Sequence, residues 1–388
     1  MAPAPISRLL HRRSGALAKG DPVVAPPVLS SAFHHPGDPD GAHFYGRAGN
    51  PTVEAAEADL ALLEGADVVL FPSGMAAIAA VLHATLRPGD RVLCHADGYY
   101  NARALLEAQF ARTGVDTRFC PTAELAAAAL DGVRLVLAET PSNPGLDVCD
   151  LARLAGRAKA AGAMLMVDNT TATCLAQRPL ALGADAAVAA DTKAMAGHSD
   201  VLLGHVATND PSLLEAVRRH RTLGGAIPSP FDAWLLHRGL ETVELRTARQ
   251  NANALAVARA LRERSRAAGP NAGVAIEGLR YPGLDDDPSH AIASRQMTGF
   301  GPIVSFELPD RATAERFVDG CPLLVAATSF GGTHSSAECR ARWGDPVAPG
   351  FVRLACGIEP TEDLVAAVTG TLDGLGPHRR RPRDASAR

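Results

Sequence analysis

The sequence predicts an α/β protein: a mostly parallel central sheet flanked by helices, with an N-terminal arm and a smaller C-terminal α+β domain. Three observations predict it. From Ala66 onward, short apolar runs alternate with amphipathic stretches of helical period. Before that, the first fifty residues are rich in Pro, Gly, His and Asp and lack periodicity, as an extended arm would be. After Phe231 the alternation stops, and a long helical stretch leads into isolated strands.

Seven runs are strand candidates in order: Asp67–Phe71, Arg91–Cys94, Thr117–Cys120, Arg134–Glu139, Met164–Asp168, Ala186–Ala190 and Leu202–Ala207. Helices are predicted between most of them, over Met75–Leu86, Ala102–Thr113, Ala123–Leu130 and Asp150–Ala161. Strands separated by helices pair in parallel, and the helices cover both faces of the sheet. In the C-terminal part, a helical stretch from Phe231 to about Ala268 is followed by strands near Ile303–Glu307 and Gly350–Ala355 and by a helix over Glu362–Leu372. The implied division is an arm over 1–52, an α/β domain over 53–230, an α+β domain over 231–375 and a disordered basic tail over 376–388.

Composition narrows the function classes. The chain is 47% apolar and 21% charged, which allows a large buried core. Its net charge of −4 singles out neither nucleic acid nor an anionic membrane as a partner. No apolar run is long enough for a membrane span, and the first residues lack a signal-peptide core, so the expected location is cytoplasmic. Seven cysteines without a C-x-x-C pair fit reduced thiols better than a disulfide framework. No His/Cys set has metal-site spacing, and no metal is expected.

Only three residues are lysine, and Lys193 has a special setting. It follows the run Ala186–Ala190 and precedes Gly197-His198-Ser199-Asp200; upstream, Met164–Val167 ends in Asp168. An amine at one strand end and a carboxylate at the next suit pyridoxal 5'-phosphate (PLP). The amine forms a Schiff base with the aldehyde, and the carboxylate keeps the ring nitrogen protonated. Pro72-Ser73-Gly74-Met75 joins the first strand to a helix, whose N-terminal N–H groups make a phosphate seat. No G-x-G-x-x-G follows, which disfavours a dinucleotide. Asn143, in Glu139-Thr140-Pro141-Ser142-Asn143-Pro144, marks another strand end, and ligands of open α/β sheets bind beyond such ends. Tyr99 and Tyr100 offer aromatic faces for a cofactor ring.

These segments resemble the Cys/Met-metabolism family of fold-type I PLP enzymes, which includes cystathionine γ-lyase, γ-synthase and β-lyase and methionine γ-lyase. The resemblance rests on Tyr-x-Arg-x-x-Asn-Pro-Thr (45–52), Ser-Gly-Met (73–75), Glu-Thr-Pro-Ser-Asn-Pro (139–144), Val-Asp-Asn-Thr (167–170), Thr-Lys with Gly-His-Ser-Asp (192–200), Arg-Gly-Leu-Glu-Thr (238–242) and Arg-Leu-Ala-Cys-Gly-Ile-Glu (353–359). It implies that Lys193 carries the Schiff base and moves protons, Asp168 pairs with the ring nitrogen and Tyr99 stacks on the ring. Ser73, Gly74, Met75 and Thr192 take the phosphate. Tyr45 and Arg47 are supplied to the site of a neighbouring subunit, so the expected assembly is a homo-oligomer, a dimer of dimers, with shared sites. Arg353 takes the substrate carboxylate, with Asn143 and Ser329 beside it.

Two departures bear on chemistry. The family usually has serine three residues before the lysine, a phosphate ligand; here it is Ala190. Relatives that handle cystathionine often carry acids where this chain has Phe44 and His334, and a neutral imidazole at His334 accepts a hydrogen bond from an ammonium without full charge pairing. The expected function is a PLP-dependent C–S lyase acting on a sulfur-containing amino acid, with cystathionine γ-elimination as the leading reaction. γ-Replacement on an activated homoserine and β-elimination share the same motifs. A non-catalytic PLP-fold protein is the rival of a different class, and retention of Lys193, Asp168, Tyr99, Tyr45, Arg47 and Arg353 speaks against it.

Overall fold

The computed structural model describes residues 3–38, 40–267, 274–343 and 345–375; the expected disordered tail, 376–388, lies outside the described residues. The described part of the arm holds a short α-helix, α1 (Pro5–Leu10), and a 3₁₀ turn at Ser14–Ala16; Leu9 of α1 is buried against the next helix, α2 (Pro51–Glu64). Sequence reading missed α2, although its signals are local. Asn50 caps it by accepting from the Thr52 and Val53 N–H groups, Pro51 sits at its first turn, and Gly65 ends it with φ 72°.

A seven-stranded sheet follows. Its strands are β1 (Asp67–Phe71), β2 (Arg91–His95), β3 (Asp116–Cys120), β4 (Val133–Glu139), β5 (Met164–Asp168), β6 (Ala186–Ala189) and β7 (Gly204–Thr208). Their order is β1-β7-β6-β5-β4-β2-β3, and β7 runs antiparallel to both β1 and β6. The predicted strands are all present, with small shifts; the run from Leu202 becomes a strand only at Gly204. Alternate residues split between two faces. Val69, Phe71, Val188 and Val206 pack under α3 (Gly74–Thr85). Val68, Leu70, Ala187 and Leu203 pack against α2 on the other face. The helix predicted over Ala102–Thr113 is broken: α4 (Tyr100–Leu105) widens into a π turn at Leu106–Phe110, then tightens over Ala111–Thr113 and stops at Gly114, φ 86°. The stretch predicted as a helix over Ala123–Leu130 forms only tight 3₁₀ turns over Thr122–Ala127. The helix α5 (Leu151–Ala161) forms as predicted, capped by the Asp150 side chain. A single turn, α6 (Thr173–Ala176), follows β5, and α7 (Pro211–Gly224) follows β7.

The long helical stretch is two helices, α8 (Pro230–Leu240) and α9 (Val243–Arg266), interrupted at Glu241-Thr242. A second sheet has β8 (Glu277–Arg280), β9 (Ile303–Glu307), β10 (Val325–Ala326), β11 (Ser336–Cys339) and β12 (Phe351–Ala355), in the order β10-β11-β12-β9-β8. Tyr281, Phe306 and Phe317 fill its core beside α9, α11 (Arg311–Gly320) and α12 (Thr361–Gly374). The helix α10 (His290–Gln296) links β8 to β9. Among the described residues no helix is long and apolar enough to cross a membrane.

Candidate active site

The carboxyl ends of β1, β4, β5 and β6 open onto one cavity of about 320 Å³. Ser73, Asn143, Asp168 and Lys193 line it, together with Tyr99 and Arg353. Four separate strand–loop junctions and the middle of β12 therefore converge, as strand ends of an open sheet do.

The Lys193 amine donates to Ser329 Oγ at 2.8 Å and lies 5.3 Å from the Phe330 ring centre. Burial, reinforced by the nearby Arg353 charge, lowers its pKa to about 8. Ser329 holds a left-handed backbone, φ 84°, a strained geometry that aims its hydroxyl at the amine. Asp168 accepts at Oδ1 from the Thr170 N–H at 2.9 Å and the Thr170 hydroxyl at 2.5 Å. Burial raises its pKa, against these bonds and the charges of His205 and Lys193, so it gains from a cationic partner. Tyr99 is set by Glu139: one carboxylate oxygen accepts from Tyr99 N at 2.6 Å and the other from Asn143 N at 2.9 Å.

The turn before α3 is a built cradle. Ser73 Oγ caps the helix by accepting from Ala76 N at 3.1 Å, while helix geometry leaves the Gly74 and Met75 N–H groups without intrahelical carbonyls. A Cβ on Gly74 would stand 2.8 Å from Ala190 Cβ, and one on Gly204 would stand 2.4 Å from Gly74 N. Only glycine permits this approach. Thr192 lines the cavity with its hydroxyl bonded to the Leu203 backbone at 3.1 Å. Amine, facing carboxylate, aromatic wall and anion cradle are the donor set that pyridoxal phosphate requires, and they fit it.

Arg353 anchors the far side. Its Nη1 donates to Asn143 Oδ1 at 2.8 Å and its Nη2 to Ser329 O at 3.0 Å, and it pairs with Glu338. Its Nε is buried without a partner, a donor pre-set for an incoming carboxylate. Glu338 escaped the sequence reading. It sits directly opposite Arg353 in the β11–β12 register, is fully buried, and also accepts from Arg340 at 2.8 Å and Trp343 at 2.8 Å. Arg340 and Trp343, also missed, line the cavity. No local spacing encodes a cross-strand partner, so the sequence carried no signal for them.

The remaining expected residues stand elsewhere. His334 is exposed and lies on an adjoining, wider cavity of about 720 Å³ with Asp200 and Asp232, not on the wall around Lys193. Its Nδ1 is 3.3 Å from Thr333 Oγ1. Tyr45 and Arg47 are exposed, with the guanidinium 5.5 Å from the Tyr45 ring centre, and neither lines the cavity of its own chain. Phe44 is likewise exposed. Among the described residues no group of three or more His, Cys, Asp or Glu is placed to hold a metal ion.

Known proteins with this pattern are numerous. The profile of the Cys/Met metabolism PLP-dependent enzyme family matches residues 9–373. A Streptomyces coelicolor protein provisionally named cystathionine gamma-lyase is 50% identical over 362 residues, covering 92% of this chain and 90% of that protein. The cystathionine gamma-synthase of Mycobacterium tuberculosis is 37% identical over 376 residues, covering 93% of this chain and 95% of that protein. The crystal structure of a methionine gamma lyase from Micromonospora echinospora superposes with a TM-score of 0.86 at 39% identity, covering 95% of this chain and 98% of that one.

Proposed function

The chain belongs to the Cys/Met metabolism family of PLP-dependent enzymes, which act on sulfur amino acids, and on that premise we propose that it is a transsulfuration-type carbon–sulfur lyase that cleaves cystathionine by γ-elimination. The observation that carries the reading is the bridge made by Ser329, whose hydroxyl accepts from Lys193 and whose carbonyl accepts from Arg353. A substrate carboxylate drawn to the unpartnered Arg353 Nε leaves its α-carbon on the side of the cavity where the lysine amine stands. The name of the Streptomyces coelicolor relative supports the choice of γ-elimination.

When bound, pyridoxal phosphate supplies a conjugated ring that draws off the electron pair left at the α-carbon. Gly74, Met75, Ser73 and Thr192 would hold its phosphate, Asp168 would keep its ring nitrogen protonated, and Tyr99 would supply an aromatic wall. Lys193, with a pKa near 8, removes the α-proton and later returns protons to the departing product. Arg353, fixed by Asn143 and Glu338, orients the substrate through its carboxylate. A β-proton is lost, the γ-thiolate leaves as cysteine, and one water is consumed as 2-oxobutanoate and ammonia are released. Tyr45 and Arg47 complete the site of a second copy in a homo-oligomer.

The test is to incubate the PLP-loaded protein with L-cystathionine and identify the keto acid by mass spectrometry. 2-Oxobutanoate with cysteine is expected. Pyruvate with homocysteine would move the enzyme to β-elimination, and no product would move it to an activated homoserine.

A further inference from the structure

Behind the loop that carries Lys193, three ionisable side chains stand in a row outside the cavity. His205, on β7, is 1% exposed; its Nδ1 lies 2.8 Å from Asp191 Oδ1 and its Nε2 lies 3.1 Å from Glu64 Oε1. With a carboxylate at each nitrogen, both nitrogens donate, which makes the ring an imidazolium. Burial opposes that charge, but Asp191 and Glu64 outweigh it and hold the pKa up at about 10. The three residues come from three elements: Glu64 ends α2, His205 lies on β7, and Asp191 stands two residues before Lys193.

The row connects the two walls of the phosphate cradle. On one side, Gly204, next to His205, backs directly on the Ser73–Gly74 turn. On the other, Asp191 leads into Thr192 and Lys193. The far end of the same loop is tied separately, as Arg246 donates to Ala194 O at 2.6 Å and Met195 O at 3.0 Å. Asp191 Oδ2 is buried without any partner, a desolvation cost that an apolar residue at this position would not incur. A side chain that costs stability beside a functional lysine, while touching nothing in the cavity, is explained by what it positions.

We propose that Glu64, His205 and Asp191 are a positioning triad that sets the gap between the Ser73–Gly74 turn and Lys193, and so offsets by rigidity the phosphate hydroxyl that Ala190 lacks. The inference concerns how the cofactor is held and is independent of which bond the enzyme cleaves.

Asp191→Ala removes the anchor and also the orphaned oxygen, leaving His205 paired with Glu64. The dissociation constant of PLP, titrated against apoprotein by fluorescence, is expected to rise tenfold or more, while the apoprotein melting temperature changes little. Asp191→Asn, which still accepts from His205 Nδ1 but without the charge, is expected to recover most of that affinity, ending roughly two- to fivefold weaker than the unsubstituted protein. An Asp191→Ala protein that binds PLP as tightly as the unsubstituted one overturns the proposal. So does one whose melting temperature falls while affinity holds, since that marks a purely structural role. If Asp191→Ala does not fold, Asp191→Asn decides: a two- to fivefold weaker affinity supports positioning, and an unchanged affinity refutes it.

Discussion

Burial and the neighbouring Arg353 charge lower the Lys193 pKa from 10.5 to about 8. Only the neutral amine attacks an aldehyde, so the shift sets how fast the apoprotein captures PLP. At pH 7 roughly 10% of an amine of pKa 8 is neutral, against roughly 0.03% for an unshifted lysine, a factor of about 300. The assay mixes apoprotein with PLP over a pH series, quenches with borohydride and measures the labelled peptides by mass spectrometry. Lys19 and Lys159 are exposed and act as controls in the same tube. Labelling of Lys193 is expected to rise about tenfold per pH unit and to level off above about pH 8. In Arg353→Met the second cause of the shift is gone, and the midpoint moves upward. A Lys193 profile that keeps climbing beyond about pH 9, with no plateau, would mean that the amine is not shifted.

Arg353→Lys keeps a charge but cannot make the two-pronged pair with a carboxylate, so KM for an amino-acid substrate is expected to rise by roughly 10- to 100-fold with a smaller change in kcat, read from steady-state kinetics. Glu338→Ala leaves the buried Arg353 without a carboxylate, while Arg340 keeps Asp345, and is expected to cost about 3–5 kcal/mol of stability, read from denaturant unfolding of the apoprotein. Arg47→Ala and Lys193→Ala proteins, each inactive alone, are expected to recover up to roughly a quarter of native activity when unfolded and reassembled together, because random pairing leaves one complete site in half of the dimers. Absence of recovery would mean that Arg47 serves its own chain.

The sequence made legible what local pattern encodes. The strands of the large sheet, the Ser73–Gly74 turn and the carboxylate–amine pair Asp168 and Lys193 all follow from short runs and their flanking residues. Helix α2 was as readable as these, through Asn50, Pro51 and Gly65, but the Pro- and Gly-rich arm before it obscured the change of pattern. Illegible were contacts fixed by pairing of distant strands. Glu338 meets Arg353 through the β11–β12 register, and His205 meets both Glu64 and Asp191 only once β7 is inserted between β1 and β6. The break between α8 and α9 follows Gly239, whose carbonyl accepts from Thr242 N and Arg246 Nη2, but a lone glycine inside a helical pattern does not by itself mark a helix end. The placement of His334 on the adjoining cavity follows from the turn after Gly332 and was equally beyond a linear reading.

Of the three lysines, Lys193 alone lines the cavity formed by the strand ends, where it is placed to anchor the cofactor. A crystal structure of the PLP-loaded protein tests it most directly. Continuous density is expected from Lys193 Nζ to the cofactor, with the ring nitrogen facing Asp168, the phosphate on the Gly74–Met75 N–H groups, and Tyr45 and Arg47 of a second copy closing the site. Cofactor bonded to Lys19 or Lys159, or a phosphate seated away from the α3 turn, would contradict it.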